Sequence, residues 1–120
     1  MARIIPAPSI IKAAGNKPKE IGEYIGRINS HTSDLSIAHM KSPQGWEEPG
    51  QTPDFDEYTV VLKGTLRVET QEETFMVSAN QSIIASKGEW VRYSTPLAGG
   101  AEYFAVCFPA FSVEKVNRDV

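Results

Sequence analysis

The sequence predicts a single all-β domain built as a sandwich or a barrel. Between residues 35 and 108, short runs of β-branched and aromatic residues begin roughly every ten residues, with turn residues between them. No helical period alternates with these runs, which disfavours an α/β sheet. The 120 residues, of which 41% are apolar and 22% charged, are enough to bury one core without cross-links.

The N-terminal segment is predicted to form one short helical turn and one strand. Ser9 precedes an apolar run that Gly15 ends, which is the pattern of a capped turn of helix. The apolar residues that follow fit either period. We favour a strand over residues 21–28, because Gly22 and Gly26 would destabilise a helix there.

The rest of the chain is predicted to be strands. Residues 58–62 and 65–70 lie on either side of Gly64, so 58–70 is predicted to be a hairpin-type pair. The other predicted strands are 35–40, 74–77, 82–85, 90–94 and 103–108. The domain then has three parts, which are an N-terminal arm with the first strand (1–34), a barrel core (35–108) and a C-terminal extension packed outside it (109–120).

Charge and apolar content argue against several classes of partner. The net charge is −3, so the chain lacks the basic balance that nucleic-acid binding needs. No apolar stretch approaches the ~20 residues of a transmembrane helix, and the start of the chain has no secretory apolar segment. We therefore expect a soluble, cytoplasmic protein. Cys107 is the single cysteine and is expected to be a buried apolar residue.

Two spaced patterns occupy the middle of the chain. The first, G-x5-Q-x-P-x3-E-x6-G, is formed by Gly45, Gln51, Pro53, Glu57 and Gly64. The second, N-x5-S-x-G-x2-V-x3-T, is formed by Asn80, Ser86, Gly88, Val91 and Thr95. Their frame resembles the two motifs of the cupin superfamily, G-x5-H-x-H-x3-E-x6-G and G-x5-P-x-G-x2-H-x3-N.

The cupin resemblance covers about residues 35–108 and implies a jelly-roll barrel with a pocket inside. The chain is also loosely similar to the ethanolamine-utilisation cupins, which likewise lack the usual metal histidines. That similarity lies in an Asp-Glu pair before an apolar strand that ends in Leu-x-Gly, and in the Phe-Pro-Ala that follows the last strand. The family is often dimeric, so we expect a homodimer whose interface could include the outward apolar positions Tyr58, Val60 and Trp90.

The resemblance also locates the positions that hold a metal ion in other cupins. Two histidines and a glutamate of the first motif and one histidine of the second correspond here to Gln51, Pro53, Glu57 and Val91. Imidazole binds these ions strongly, whereas an amide is a poor donor and proline and valine side chains offer none. No cofactor is therefore predicted. The alternative is a divalent metal held by Glu57, Gln51 and His39, with His39 pointing inward from the preceding strand.

Glu57 is the retained member of this set and the main candidate for chemistry. On a strand it alternates with Thr59 and Val61, so it should share their inward face. A buried carboxyl has a raised pKa, which would suit a general acid or base. The alternative interpretation is that Glu57 anchors a loop through backbone N–H groups.

Four further residues complete the hypothetical site. The position of Val91 fixes the inner face of its strand, so Tyr93 should also point inward and is a second catalytic candidate. His39 is the third catalytic candidate if it faces the pocket. Gln51 and Trp46 are the substrate-binding candidates, with Trp46 either a lid over the pocket mouth or a core residue.

Three functions fit this pattern. The first is a metal-independent isomerase, lyase or dehydratase acting on a small polar molecule bound in the barrel. The second is a non-catalytic module that binds a ligand or a partner protein. The third is a metal-dependent, dioxygenase-like cupin with substitute ligands. The sequence does not decide whether the protein is an enzyme.

Overall fold

The computed structural model describes residues 1–120 and contains nine strands and one short helix. The strands are β1 (Ser9–Ile10), β2 (Glu20–Ile25), β3 (Ser36–Ser42), β4 (Trp46–Glu47), β5 (Asp56–Thr70), β6 (Thr74–Ser78), β7 (Ser82–Ala85), β8 (Val91–Thr95) and β9 (Ala101–Phe108). The helix α1 spans Val113–Val116. The all-β prediction is confirmed, and this helix lacks the length and apolar character needed to cross a bilayer.

The strands form two antiparallel groups that share the long strand β5. In the first group β1, β2, β3, β9 and the first half of β5 pair in that order, with β7 on the far side of β5. In the second group β6 and β8 flank the other half of β5, and β4 pairs with β8. Because β5 passes from one group to the other, the sheet curls around a single interior.

Gly64 lies inside β5, so the predicted hairpin over 58–70 is wrong. The strand runs without a turn from Asp56 to Thr70 and changes partners near Gly64. A register shift between Val61 and Lys63 moves the buried positions from odd to even residue numbers along the strand. Gly64 therefore allows a bend between the two sheet groups.

The predicted N-terminal helical turn is also wrong. Ser9 and Ile10 form a two-residue edge strand opposite Glu23 and Gly22 of β2. A single helical turn gains little from its own hydrogen bonds, so pairing with an existing strand prevails. The strand predicted over 21–28 exists but ends at Ile25.

The core fills the interior between the two sheet groups. Its main cluster consists of Trp46, Val61, Leu66, Val68, Val77, Val91, Tyr93, Ala101 and Tyr103. Cys107 is buried, as predicted, in a smaller cluster with Phe55 and Val116. Tyr58 and Val60 face outward, with 40% and 46% of their surface exposed, also as predicted.

The C-terminal segment runs beside residues 50–54 and is held there by backbone hydrogen bonds. The N–H groups of Thr52 and Asp54 donate to the carbonyls of Asn117 (3.1 Å) and Lys115 (2.8 Å). Asp119 N–H donates to the carbonyl of Gly50 at 2.8 Å. These bonds hold the end of the chain along the segment that carries the first sequence motif.

Candidate active site

One cavity enters the barrel between the N-terminal arm and the C-terminal segment. Its volume is about 70 Å³, which is room for a few water molecules or a small polar group. Its lining includes Ile11, Lys12 and Ala14 of the arm, and Phe111 and Arg118 of the C-terminal segment. The ionisable and amide side chains around it include Lys19, Glu48, Gln51, Glu57, Tyr93 and Arg118.

Glu57 lies inside this cavity and is 9% exposed. The alternation along β5 places it on the inward face with Thr59 and Val61, as the sequence predicts. Burial raises the pKa of Glu57 to about 7, the nearby charge of Glu48 adds to the rise, and Lys19 and the Tyr93 hydrogen bond oppose it. Both protonation states of Glu57 are therefore populated near neutral pH.

Tyr93 points into the same cavity from β8. Its hydroxyl donates to Glu57 Oε1 at 3.2 Å, and the side chain is 5% exposed. Burial raises the pKa of Tyr93 well above 10, and the Glu57 charge adds to the effect. The phenol therefore remains protonated at neutral pH and acts as a hydrogen-bond donor.

A second carboxylate and a lysine lie near this pair. Burial raises the pKa of Glu48, and the positive charges of Lys19 and Arg118 oppose that rise. Lys19 Nζ sits 3.9 Å from the ring centroid of Trp46 and 5.3 Å from that of Tyr103. These aromatic faces hold the ammonium group at the cavity by cation–π contact.

Gln51 is joined to Val91 by backbone hydrogen bonds, and both positions carry metal ligands in metal-binding cupins. Its N–H donates to Val91 O and its carbonyl accepts from Val91 N–H, each at 2.9 Å. The side chain is 4% exposed and lines the cavity. Its amide oxygen has no hydrogen-bond partner in the protein.

Trp46 does not line the cavity, so the lid hypothesis is wrong. It is 1% exposed and belongs to the main core cluster. Its indole N–H donates to the carbonyl of Ala14 at 3.0 Å, which ties the N-terminal arm to the barrel. Trp46 therefore supports the site from the core, through Lys19 over its ring, Ala14 at its indole N–H and Tyr93 in the same cluster.

The structure also corrects the expected position of His39. Its neighbours Ala38 and Met40 line the cavity, and the alternation of β3 sends His39 to the opposite face. There its Nε2 lies 2.9 Å from Glu102 Oε2, and the two side chains are 28% and 26% exposed. His39 contacts neither Glu57 nor Gln51, so the metal set that combined these three residues does not form.

Replacing His39 by alanine should therefore leave the cavity intact. We expect kcat/KM, or ligand affinity where no turnover is measured, to stay within about twofold of wild type. Urea unfolding should show only a small loss of stability, because a partly exposed pair of His39 and Glu102 is screened by solvent and contributes little. A tenfold or greater loss of function in His39→Ala, with an unchanged free energy of unfolding, would show that His39 takes part in the function of the site.

The residues around the cavity do not suit a transition metal. No group of three or more His, Cys, Asp and Glu side chains is placed to hold an ion. Near Glu57 the other donors are the Gln51 amide, the Tyr93 phenol, the Glu48 carboxylate and the Cys107 thiol, whose pKa burial raises well above 9. The cations Lys19 and Arg118 line the same cavity. Such cations oppose metal binding, and no imidazole lines the cavity, although imidazole is the ligand that suits these ions.

Sequence reasoning missed three charged residues of the site, namely Lys19, Glu48 and Arg118. Lys19 and Arg118 lie outside the two spaced patterns, and Glu48 occupies an unspecified position within the first of them. The nearest sequence signal is the pair Glu47–Glu48 directly after Trp46, where one carboxylate follows a short buried strand. Nothing local to Lys19 or Arg118 distinguishes them from surface cations.

Solved structures of several proteins share this architecture. A cupin described as RmlC-like from Shewanella frigidimarina superposes with a TM-score of 0.70 at 13% identity, covering 86% of this chain and 85% of that one. The chain has the cupin fold. A protein assigned as ethanolamine utilization protein Q in Salmonella typhimurium matches with a TM-score of 0.68 at 18% identity, over 87% of this chain and 97% of that one. Both resemblances predicted from the sequence are thus confirmed at the level of fold.

One curated relative matches the chain in sequence. It is the endoribonuclease YbeY of Myxococcus xanthus, 36% identical over 101 residues, which are 84% of this chain and 34% of that protein. The chain thus spans about a third of the relative's length, so the match does not carry the relative's activity over. No protein-family model matches the chain.

Proposed function

We propose that this cupin binds a small polar molecule in its barrel and performs general acid–base chemistry on it without a metal ion. The reaction is of the isomerase, lyase or dehydratase type. The observation that carries the proposal is the buried Glu57, whose pKa of about 7 and bond to Tyr93 place an exchangeable proton inside the cavity. Burial would raise the pKa of any carboxyl, so the proposal rests on the combination of this carboxyl, the Tyr93 hydroxyl and an open cavity beside them.

The roles of the two residues follow from their environments. The ionised Glu57 removes a proton from the substrate, and the protonated form returns one to a second atom or to a leaving hydroxyl group. Tyr93 stays protonated and donates a hydrogen bond to Glu57 Oε1, which orients the carboxyl group. Lys19 stabilises negative charge that develops on the substrate, since it lies close enough to lower the pKa of Glu57.

The proposal predicts that removing metal ions changes neither ligand binding nor turnover. Protein dialysed against EDTA should contain far less than one metal ion per chain and should retain full ligand-induced stabilisation. Added Fe²⁺, Mn²⁺ or Zn²⁺ should not raise turnover, because the donor set near Glu57 lacks imidazole. Stoichiometric metal in the purified protein, with function lost on chelation and restored by the ion, would support the metal-dependent reading instead.

A substrate screen separates an enzyme from a binding module. Small hydroxy and oxo compounds that raise the melting temperature are incubated with the protein, and the mixture is followed by NMR for exchange of carbon-bound protons with solvent deuterium. An acid–base site should exchange or convert at least one ligand with a rate that changes across pH 7. Saturable binding without exchange or conversion of any ligand would overturn the catalytic proposal.

A further inference from the structure

Two buried polar atoms of the cavity lack any partner in the protein. One is the amide oxygen of Gln51, an acceptor, and the other is Arg118 Nε, a donor. A buried donor or acceptor without a hydrogen bond is costly, so such atoms are usually satisfied by water or by a ligand. Both residues line the cavity.

The two residues are neighbours across a backbone bridge. Gln51 pairs with Arg118 in an antiparallel bridge, which places the C-terminal segment against the first motif segment. The flanking hydrogen bonds, from Asp119 N–H to the Gly50 carbonyl and from Thr52 N–H to the Asn117 carbonyl, hold Arg118 in place from both sides. The unpaired acceptor and donor therefore belong to one edge of the cavity.

The charges around the cavity favour an anionic ligand. Lys12, Lys19 and Arg118 face three carboxylates. Of these, Glu23 already accepts from the N–H groups of residues 28 and 29 through Oε1, at 3.0 Å and 2.9 Å. Glu57 is about half protonated at neutral pH because of its burial and the charge of Glu48. The hydrogen bonds to Glu23 leave its charge in place, so three cations and three carboxylates line the cavity. Partial protonation of Glu57 leaves this lining slightly positive, which admits a small anion beside Arg118.

From these observations we infer that Gln51 and Arg118 form a recognition edge for a small hydroxycarboxylate. The Arg118 guanidinium donates to a carboxylate oxygen, and the Gln51 amide oxygen accepts from the neighbouring hydroxyl group. This specificity rests on the proposed function of the cavity and names its substrate class. A ligand with only one of the two groups leaves a buried atom unsatisfied.

The test compares ligands that differ by one group. Glycolate, lactate and glycerate are titrated calorimetrically, alongside acetate and propionate, which lack the hydroxyl, and glycerol, which lacks the carboxylate. At least one hydroxycarboxylate should bind at least tenfold more tightly than its matched analogues. Each analogue leaves either the buried Gln51 oxygen or the Arg118 guanidinium without its partner. Arg118→Met should weaken that binding at least tenfold, and Gln51→Met should remove the preference over the deoxy acid.

Lys115→Met is the matched control, because Lys115 lies on the same segment but does not line the cavity. Its affinity should equal that of wild type. Arg118→Lys keeps a positive charge at the same position, so its affinity shows whether the guanidinium itself is needed. Equal affinity of Arg118→Met and wild type, binding of glycerol as tight as that of glycerate, or no binding of any hydroxycarboxylate would each overturn the inference.

The variant Glu57→Gln separates this inference from the proposed function. It should still bind the hydroxycarboxylate, because Arg118 and Gln51 are unchanged, while losing turnover. If Glu57→Gln turns over normally but Arg118→Met does not bind, the acid–base proposal fails and the ligand class stands. If Glu57→Gln is inactive but Arg118→Met binds as wild type does, the ligand class fails and the acid–base proposal stands.

Discussion

Replacing Gly64 by alanine should destabilise the protein by roughly 3–4 kcal/mol. Gly64 has a φ of 74°, a conformation that residues with a Cβ adopt at a cost. A Cβ built there would approach the Gly100 carbonyl oxygen to 2.0 Å and the Ala101 Cα to 3.0 Å. Both neighbours are backbone atoms, so the sheet itself would have to move. We expect a fall of roughly 10–20 °C in Tm, measured by calorimetry.

Gly88→Ala is the matched control for this change. Gly88 has a similar φ of 85°, but a Cβ there would meet nothing within 4 Å. It should therefore lose only the conformational cost, about 1 kcal/mol. The difference between the two variants measures how closely β5 and the segment at Gly100 are packed. Equal losses would show that the bend tolerates a Cβ and that φ alone explains the glycine.

Gly64 also shows where local sequence stops determining the fold. A glycine between two β-branched runs predicts a reversal of the chain, and the same pattern occurs here within one continuous strand. What distinguishes the two outcomes is the set of partners, because β7 and β9 pair with one half of β5, and β6 and β8 with the other. Those contacts are distant in sequence, so no window around Gly64 contains them.

Site residues were predictable on strands for which the sequence showed which face points inward. Glu57 and Tyr93 lie on strands whose inner face the spaced patterns define, and both point inward. His39 lies on a strand without such a reference, and alternation alone allowed either face. Lys19 and Arg118 come from a loop and from the C-terminal segment, whose positions depend on tertiary contacts and not on a periodic pattern.

Glu57→Gln should abolish turnover, with a loss of about 10²–10⁴ in kcat, because the amide can neither remove nor deliver a proton. The substitution preserves the size of the side chain and an oxygen that accepts from Tyr93. The surface control is Glu72→Gln, which removes the same formal charge from an exposed turn and should keep wild-type kcat. Retention of kcat in Glu57→Gln would remove this carboxyl from the mechanism.

The same variant should change how stability depends on pH. The pKa of Glu57 is about 7 in the folded protein, against 4.5 as its ordinary value. Between these values the folded state binds more protons than the unfolded state, so the free energy of unfolding falls as pH rises from about 4.5 to 7. The fall due to Glu57 amounts to roughly 3 kcal/mol, since one pKa unit corresponds to about 1.4 kcal/mol.

Glu57→Gln has no charge to desolvate and should therefore lose this part of the decline. Urea unfolding at pH 5 should give similar free energies for variant and wild type, and at pH 8 the variant should be the more stable by up to about 3 kcal/mol. In the variant the free energy of unfolding should still fall with pH, but less steeply, because burial also raises the pKa of Glu48. Stability that is greater in the inactive variant at pH 8 would identify Glu57 as a carboxyl held in the cavity at a cost to folding. Parallel pH curves for variant and wild type would instead mean that Glu57 titrates near its ordinary value.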